Sequence, residues 1–137
     1  MPRKPSAKTL KPKAAALLQK LVRMKAADAE GWCECVTCGK RDHYKAMDGG
    51  HFVSRQHTAH LLREENIHPQ CKRCNKWLHG ALDKYTLYMV DMYGRDFVDH
   101  LIATKTQVRK YTAAELEDII AELRVRIKDQ AIRLNEE

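Results

Sequence analysis

Two Cys-x-x-Cys pairs, Cys35/Cys38 and Cys71/Cys74, bracket a segment rich in Asp, Gly, His and Asn. Each pair can offer two thiolates from one tight turn, and two such pairs close a tetrahedral four-sulfur sphere around Zn2+. A closed sphere leaves no position for a reacting water, so the expected ion is structural. Binding in such sites is worth about 10–16 kcal/mol at neutral pH and is coupled to folding. The plainer reading is four reduced structural cysteines or a redox pair. The fifth cysteine, Cys33, could compete as a ligand through Cys33-x-Cys35, but Cys-x-x-Cys is the commoner geometry and Cys33 reads rather as a plain buried or partly exposed thiol.

Between and beside the pairs stand Asp48-Gly49-Gly50-His51, Asn66-Ile67-His68-Pro69, and Asn75 just after Cys74. Phosphodiester hydrolysis needs a base with a pKa near 7, oxygen ligands for a hard cation such as Mg2+ or Mn2+, and a group that orients the base. His51 suits the first role, Asp48 and Asn75 the second, and Asn66 the third. Strand alternation leaves open whether Asp48 faces the same way as His51. Each residue also has a bland role: His51 as a packed or surface imidazole, Asn66 as a turn cap, Asn75 as the N-cap of a following helix. Lys45, Arg55, Arg63, Lys72, Arg73 and Lys76 flank these positions and suit DNA phosphates, which position a duplex without reading its bases. If all six engage, affinity should fall with salt at a log–log slope of roughly −5. A merely solvated basic surface is the alternative. His68 either touches phosphate or packs beside Pro69, and His57 and His79 are weaker candidates for DNA contact. Trp77 is expected in the core, packed on the second Cys pair, rather than as a base-stacking residue.

The elements around these residues follow from periodicity. Residues 1–10, with Pro2, Pro5, Arg3, Lys4 and Lys8, read as a basic flexible tail. Residues 11–30 read as a helix, with Pro12 in its first turn and Leu17, Leu18, Leu21 and Met24 on one stripe, ended by Gly31. Helical periodicity then lapses through the Cys-rich centre. Met47 to Ser54 suggests a short strand, with a bulge or bend at Gly49-Gly50, and Leu61 to Gln70 reads as a loop. Residues 81–93 and 96–104 read as helices. Thr112 and Glu115 match a capping box opening a last helix, whose stripe of Leu116, Ile120, Leu123, Ile127 and Leu134 could pair two subunits or pack on residues 9–29. The domain reading is therefore a tail at 1–10, a helix at 11–30, a core at 31–93, and C-terminal helices at 94–137 that could dimerise.

The whole chain has 137 residues, one domain's worth, with 44% hydrophobic and 31% charged side chains, a globular balance. No apolar run approaches the ~20 residues of a membrane span, and no secretory core opens the sequence, so a cytoplasmic protein without a membrane partner is expected. Lys and Arg outnumber Asp and Glu by 25 to 18, a net charge of +7, which favours a polyanionic partner. The surplus lies in residues 1–80, whereas residues 112–137 carry four basic and seven acidic side chains. The last helix is thus a poor nucleic-acid face.

The ordered set Cys-Val-Thr-Cys-Gly-Lys, Asp-Gly-Gly-His-Phe, Glu-Asn-Ile-His-Pro-Gln-Cys and Cys-Asn-x4-Gly resembles the phage NinG (Rap) recombination family, within the HNH endonucleases of the His-Me finger class. The resemblance covers residues ~32–93. It implies an α+β fold with a zinc-stabilised ββα-metal core between helices, and structure-selective cutting of branched DNA such as Holliday junctions and D-loops. It further implies His51 as general base, Asn75 as a ligand of the catalytic Mg2+ or Mn2+, and Asn66 as the residue steadying the His51 loop. The chain departs from the widespread HNH pattern at Gly50, where many members carry a metal-binding Asp, and at Asn75, where His is common. Asp48 is the substitute carboxylate. The rival expectations are a non-catalytic zinc-knuckle DNA-binding protein and a general HNH nicking or double-strand endonuclease; an RNA-directed enzyme stays open. A homodimer would suit a resolvase that places two symmetric nicks.

Overall fold

The computed structural model describes residues 3–136. Helix α1 spans Ala7–Ala26, capped by the Ser6 hydroxyl, which accepts from the Thr9 N–H. It therefore starts four residues before the expected boundary, and Pro12 lies inside it rather than in its first turn. Arg3 to Ser6 of the expected tail are coil; Met1 and Pro2 lie outside the described residues.

Strands β1 (Trp32–Glu34) and β2 (Arg41–His43) form an antiparallel hairpin, and the first Cys pair occupies the turn between them. Strand β3 (Asp48–His51) pairs antiparallel with β4 (Ile67–Gln70), setting His51 opposite Ile67 and Gly50 opposite His68. The stretch expected as loop thus ends in a strand. Its residues do not alternate in burial, since all four are buried, and Pro69 weakens the sequence signal. A wide helical turn at Arg73–Trp77 carries the second pair onward. Helices α2 (Leu82–Tyr93), α3 (Arg95–Ala103) and α4 (Ala113–Arg133) follow, and the Thr112/Glu115 capping box is formed at the start of α4. The fold is a mixture of helices and two small sheets, an α+β arrangement.

α1 and α4 pack along their length. Leu10, Ala14, Leu18, Leu21 and Val22 of α1 meet Leu116, Ile120 and Leu123 of α4. Arg133 donates to the carbonyls of Met24, in the last turn of α1, and of Ala27, just beyond its end. Of the two roles expected for the α4 stripe, its residues take the one inside the chain, packed on α1. Burying it saves about 25 cal/mol for each Å2 of apolar surface removed from water.

Gly49 and Gly50 make no bulge. They sit in regular strand because neighbours come too close for a side chain. A Cβ on Gly49 would lie 2.7 Å from the Gln19 Cβ of α1, and one on Gly50 would lie 1.8 Å from the Gln70 amide oxygen. β3 is thereby pressed between a helix and a buried glutamine.

Candidate metal and phosphodiester site

The hairpin turn β1–β2 and the end of β4 bring Cys35, Cys38, Cys71 and Cys74 together, with all four sulfurs within 4.8 Å of one another. The Sγ atoms of Cys38 and Cys71 are 3.7 Å apart. A tetrahedron with Zn–S bonds near 2.3 Å has edges of roughly 3.8 Å. The four cysteines therefore could bind a structural zinc, as their spacing predicts. Burial opposes ionisation of Cys35, but the Thr37 hydroxyl at 3.3 Å and nearby backbone donors outweigh it and bring the thiol down to about 6. Burial and the neighbouring thiols push Cys74 up to about 12, so four thiolates coexist only around a cation. Cys33 lies buried beside the cluster and outside it.

On the other side of β3 lies a cavity of about 480 Å3, lined by Asp48, Gly49 and His51 of β3, by Asn75 from the turn after the second pair, and by Lys45, Arg55, Lys72 and Lys76. The Nε2 of His51 is 3.1 Å from the Leu61 carbonyl oxygen. A carbonyl only accepts, so Nε2 carries the proton and the neutral ring keeps its lone pair on Nδ1. Burial lowers the His51 pKa, which favours this neutral form. Asp48 accepts from Lys72 Nζ at 2.8 Å and from the Asn75 amide at 3.0 Å. Partial burial works against charge on Asp48, but these donors outweigh it and hold its pKa below the usual value. Because Asn75 spends its N–H on Asp48, its amide oxygen remains available beside a carboxylate. The two supply the oxygen donors that Mg2+ prefers.

Asn66 is fully buried and does not touch the imidazole. Its amide donates to the carbonyls of Val53 (3.0 Å) and His60 (3.2 Å), and its oxygen accepts from the Val53 N–H at 2.8 Å. It ties both ends of the 53–60 loop to the hairpin, next to the Leu61 carbonyl that holds His51.

Four of the six expected phosphate partners line the cavity. Arg63 does not; its Nε–H donates to His60 Nδ1 at 3.1 Å. Arg73 is exposed and outside the lining. Sequence reasoning missed Gln19 and Arg23 of α1, which do line it. Arg23 also donates to the Met47 carbonyl at 3.1 Å. Only the position of Arg23 off the apolar stripe could have hinted at this. His79, a weaker candidate, lines the cavity too.

His68 corrects its assignment as a DNA contact. It is buried between two tyrosines, with Nδ1 3.0 Å from the Tyr85 hydroxyl and Nε2 2.7 Å from that of Tyr93. Tyr85 donates its own proton to the Gly50 carbonyl at 2.7 Å, so His68 Nδ1–H donates to Tyr85 and Nε2 accepts from Tyr93. The chain of donors supports β3 from behind and needs a neutral ring. Burial lowers the His68 pKa to about 4, against about 6.5 for an unfolded imidazole. As pH falls the unfolded chain takes up this proton first. The group's contribution is therefore whole above about pH 6.5 and is lost as pH drops toward 4, at up to about 1.4 kcal/mol per pH unit. Urea midpoints measured across that window should decline in the wild type and decline less in His68→Gln; parallel curves for the two would contradict this.

Trp77 is also corrected. It is 79% exposed rather than packed in the core. After it the backbone is left-handed at three successive residues, His79 (φ 51°), Gly80 (φ 92°) and Ala81 (φ 47°), a conformation costing about 1–3 kcal/mol at each non-glycine.

Among the described residues no helix is long and apolar enough to cross a membrane. A sequence model of the family described as Bacteriophage Lambda NinG protein matches residues 3–132. The chain is similar to Protein ninG of Escherichia phage lambda, 30% identical over 96 residues, covering 69% of this chain and 46% of the relative. It is equally similar to Protein ninG of Salmonella phage P22, 30% identical over 96 residues, with 69% and 46% covered. Protein ninG of Escherichia phage 933W is 29% identical over 96 residues, with 69% and 47% covered. The chain thus spans less than half the length of the curated relatives it matches. No solved structure matches it.

Proposed function

The chain belongs to the phage NinG family, and from that premise we propose that it is a metal-dependent endonuclease of the HNH type acting on branched DNA. The supporting observation is the cavity in which an Nδ1-basic His51, the Asp48–Asn75 oxygen pair and five Lys and Arg side chains share one wall system. In this reading the hairpin β3–β4 and the turn after Cys74 act as a ββα-metal unit, and the four-cysteine cluster fixes their separation.

His51 Nδ1 takes a proton from a water whose oxygen attacks the phosphorus. The bond to the 3′ oxygen breaks, that oxygen is protonated by solvent, and 5′-phosphate and 3′-hydroxyl ends result. Asp48 and Asn75 are the residues that would hold Mg2+ or Mn2+, which when bound would stabilise charge on the phosphate and leaving oxygen. Lys72 must first release Asp48, and the freed ammonium is then placed to hold a phosphate oxygen. Lys45, Arg55 and Lys76 clamp the backbone on either side. Asn66 positions the base through the loop that carries Leu61.

The deciding assay compares a four-way junction, a matched duplex and a matched RNA with added Mg2+ or Mn2+, mapping product ends. Divalent-dependent nicks near the branch with 5′-phosphate ends are expected. If the protein binds these substrates and cuts none of them, it is a zinc-knuckle binding protein instead.

A further inference from the structure

We propose that Trp77 is a base-stacking wedge that selects an unpaired or unstacked base at a DNA branch point. The inference rests on the nuclease reading only for the kind of polymer bound.

Trp77 is the most exposed of the large hydrophobic side chains, at 79%. Folding has not hidden it, although the same turn buries Cys74. Leu78 and Leu82 are also about half exposed, and Leu82, five residues after Trp77, lines the cavity. Lys72, Arg73 and Lys76 lie within five residues on the preceding side, and Lys72 and Lys76 line the same cavity. A flat apolar ring among cations suits a partner with a flat apolar face and negative charge. A nucleobase on its phosphate backbone has both. A purely apolar protein surface would leave the cations without counterparts.

The mount is rigid. Leu78 N–H donates to the Arg73 carbonyl at 2.9 Å, Gly80 N–H to Cys74 at 2.8 Å, and Ala81 N–H to Leu78 at 2.9 Å. The buried Gln70 amide donates to the Gly80 carbonyl at 2.8 Å. The left-handed run His79-Gly80-Ala81 is therefore held by the cysteine knuckle itself. Backbone kept in that region by its surroundings is a frequent mark of functional segments. A ring presented on such a mount loses little conformational freedom when a base stacks on it. Paired bases inside a duplex present edges rather than faces, so stacking discriminates in favour of junctions, ends and single strands.

The test uses the full chain with Trp32→Phe, which leaves Trp77 as the single tryptophan, and no added Mg2+ or Mn2+. Titration with a four-way junction or a tailed duplex should quench Trp77 emission strongly, and titration with a blunt duplex should not. Trp77→Ala should weaken junction binding roughly five- to hundredfold and leave duplex binding within about twofold. Trp77→Phe should recover most of the loss. Zinc content and melting temperature unchanged in Trp77→Ala would show that the fold is intact. Equal junction and duplex affinities in wild type, or a Trp77→Ala protein that still prefers junctions, overturns the wedge. Quenching and selectivity in a protein that never cuts DNA would keep the wedge and discard the nuclease. Cutting with selectivity untouched in Trp77→Ala would do the reverse.

Discussion

His51→Ala should lower the rate of divalent-dependent cleavage by about 10²–10⁴-fold, with DNA affinity and zinc content unchanged. The expectation follows from the hydrogen bond to the Leu61 carbonyl, which assigns the proton to Nε2 and the basic lone pair to Nδ1. The pH profile makes the role specific. Burial lowers the His51 pKa from its ordinary 6.5, so the ring is neutral at pH 7 and the rate should be level there. Below the pKa the ring gains a proton and cannot accept another. The rate should then fall about tenfold per pH unit, with a midpoint below 6.5. An alanine protein that cuts at the wild-type rate, or a profile with no acid limb, removes His51 from the chemistry. Asn66→Ala acts differently, because it frees a loop rather than deleting a base. It should lower the rate without moving the midpoint.

Removing zinc should have the largest structural effect. The centre from Gly31 to Gly80 is built of strands of three or four residues, each too short to persist alone. Its links converge on the cysteines: the Thr37 hydroxyl meets Cys35 Sγ, and Gln70 donates to that same hydroxyl at 3.2 Å. A zinc bound in this setting contributes about 10–16 kcal/mol, more than a domain's usual net stability of about 5–15 kcal/mol. A strong chelator, or Cys74→Ser, should abolish the cooperative thermal transition, and metal analysis of the intact protein should find one zinc per chain. A chain that melts identically with and without chelator would contradict a structural metal there.

The four-cysteine cluster was legible in the sequence because the pairing of two sulfurs by Cys-x-x-Cys is a local property. The α1–α4 packing was legible only as one of two options, since periodicity marks an apolar stripe without naming its partner. Simple alternation left the facing of Asp48 open; what settles its surroundings is Lys72 and Asn75, which arrive from beyond Cys71 to meet its carboxylate. His68 was misread for a related reason. Tyr85 and Tyr93, which enclose it, lie 17 and 25 residues further along the chain. The rule that a large aromatic belongs inside failed at Trp77, where a tightly bonded turn of backbone holds the ring in solvent. Arg23 escaped notice because a lone basic residue on an amphipathic helix looks the same whether or not a strand passes beneath it.

The contact between Gly50 and Gln70 also bears on which substitutions this chain can accept. A carboxylate at position 50 would meet the glutamine amide head-on, so Gly50→Asp forces Gln70 out of its place. The neighbour would have to shrink first, and shrinking it would unlatch Gly80 and the turn beyond. The one buried glutamine thus keeps position 50 to glycine and leaves Asp48 as the acid of this cavity wall.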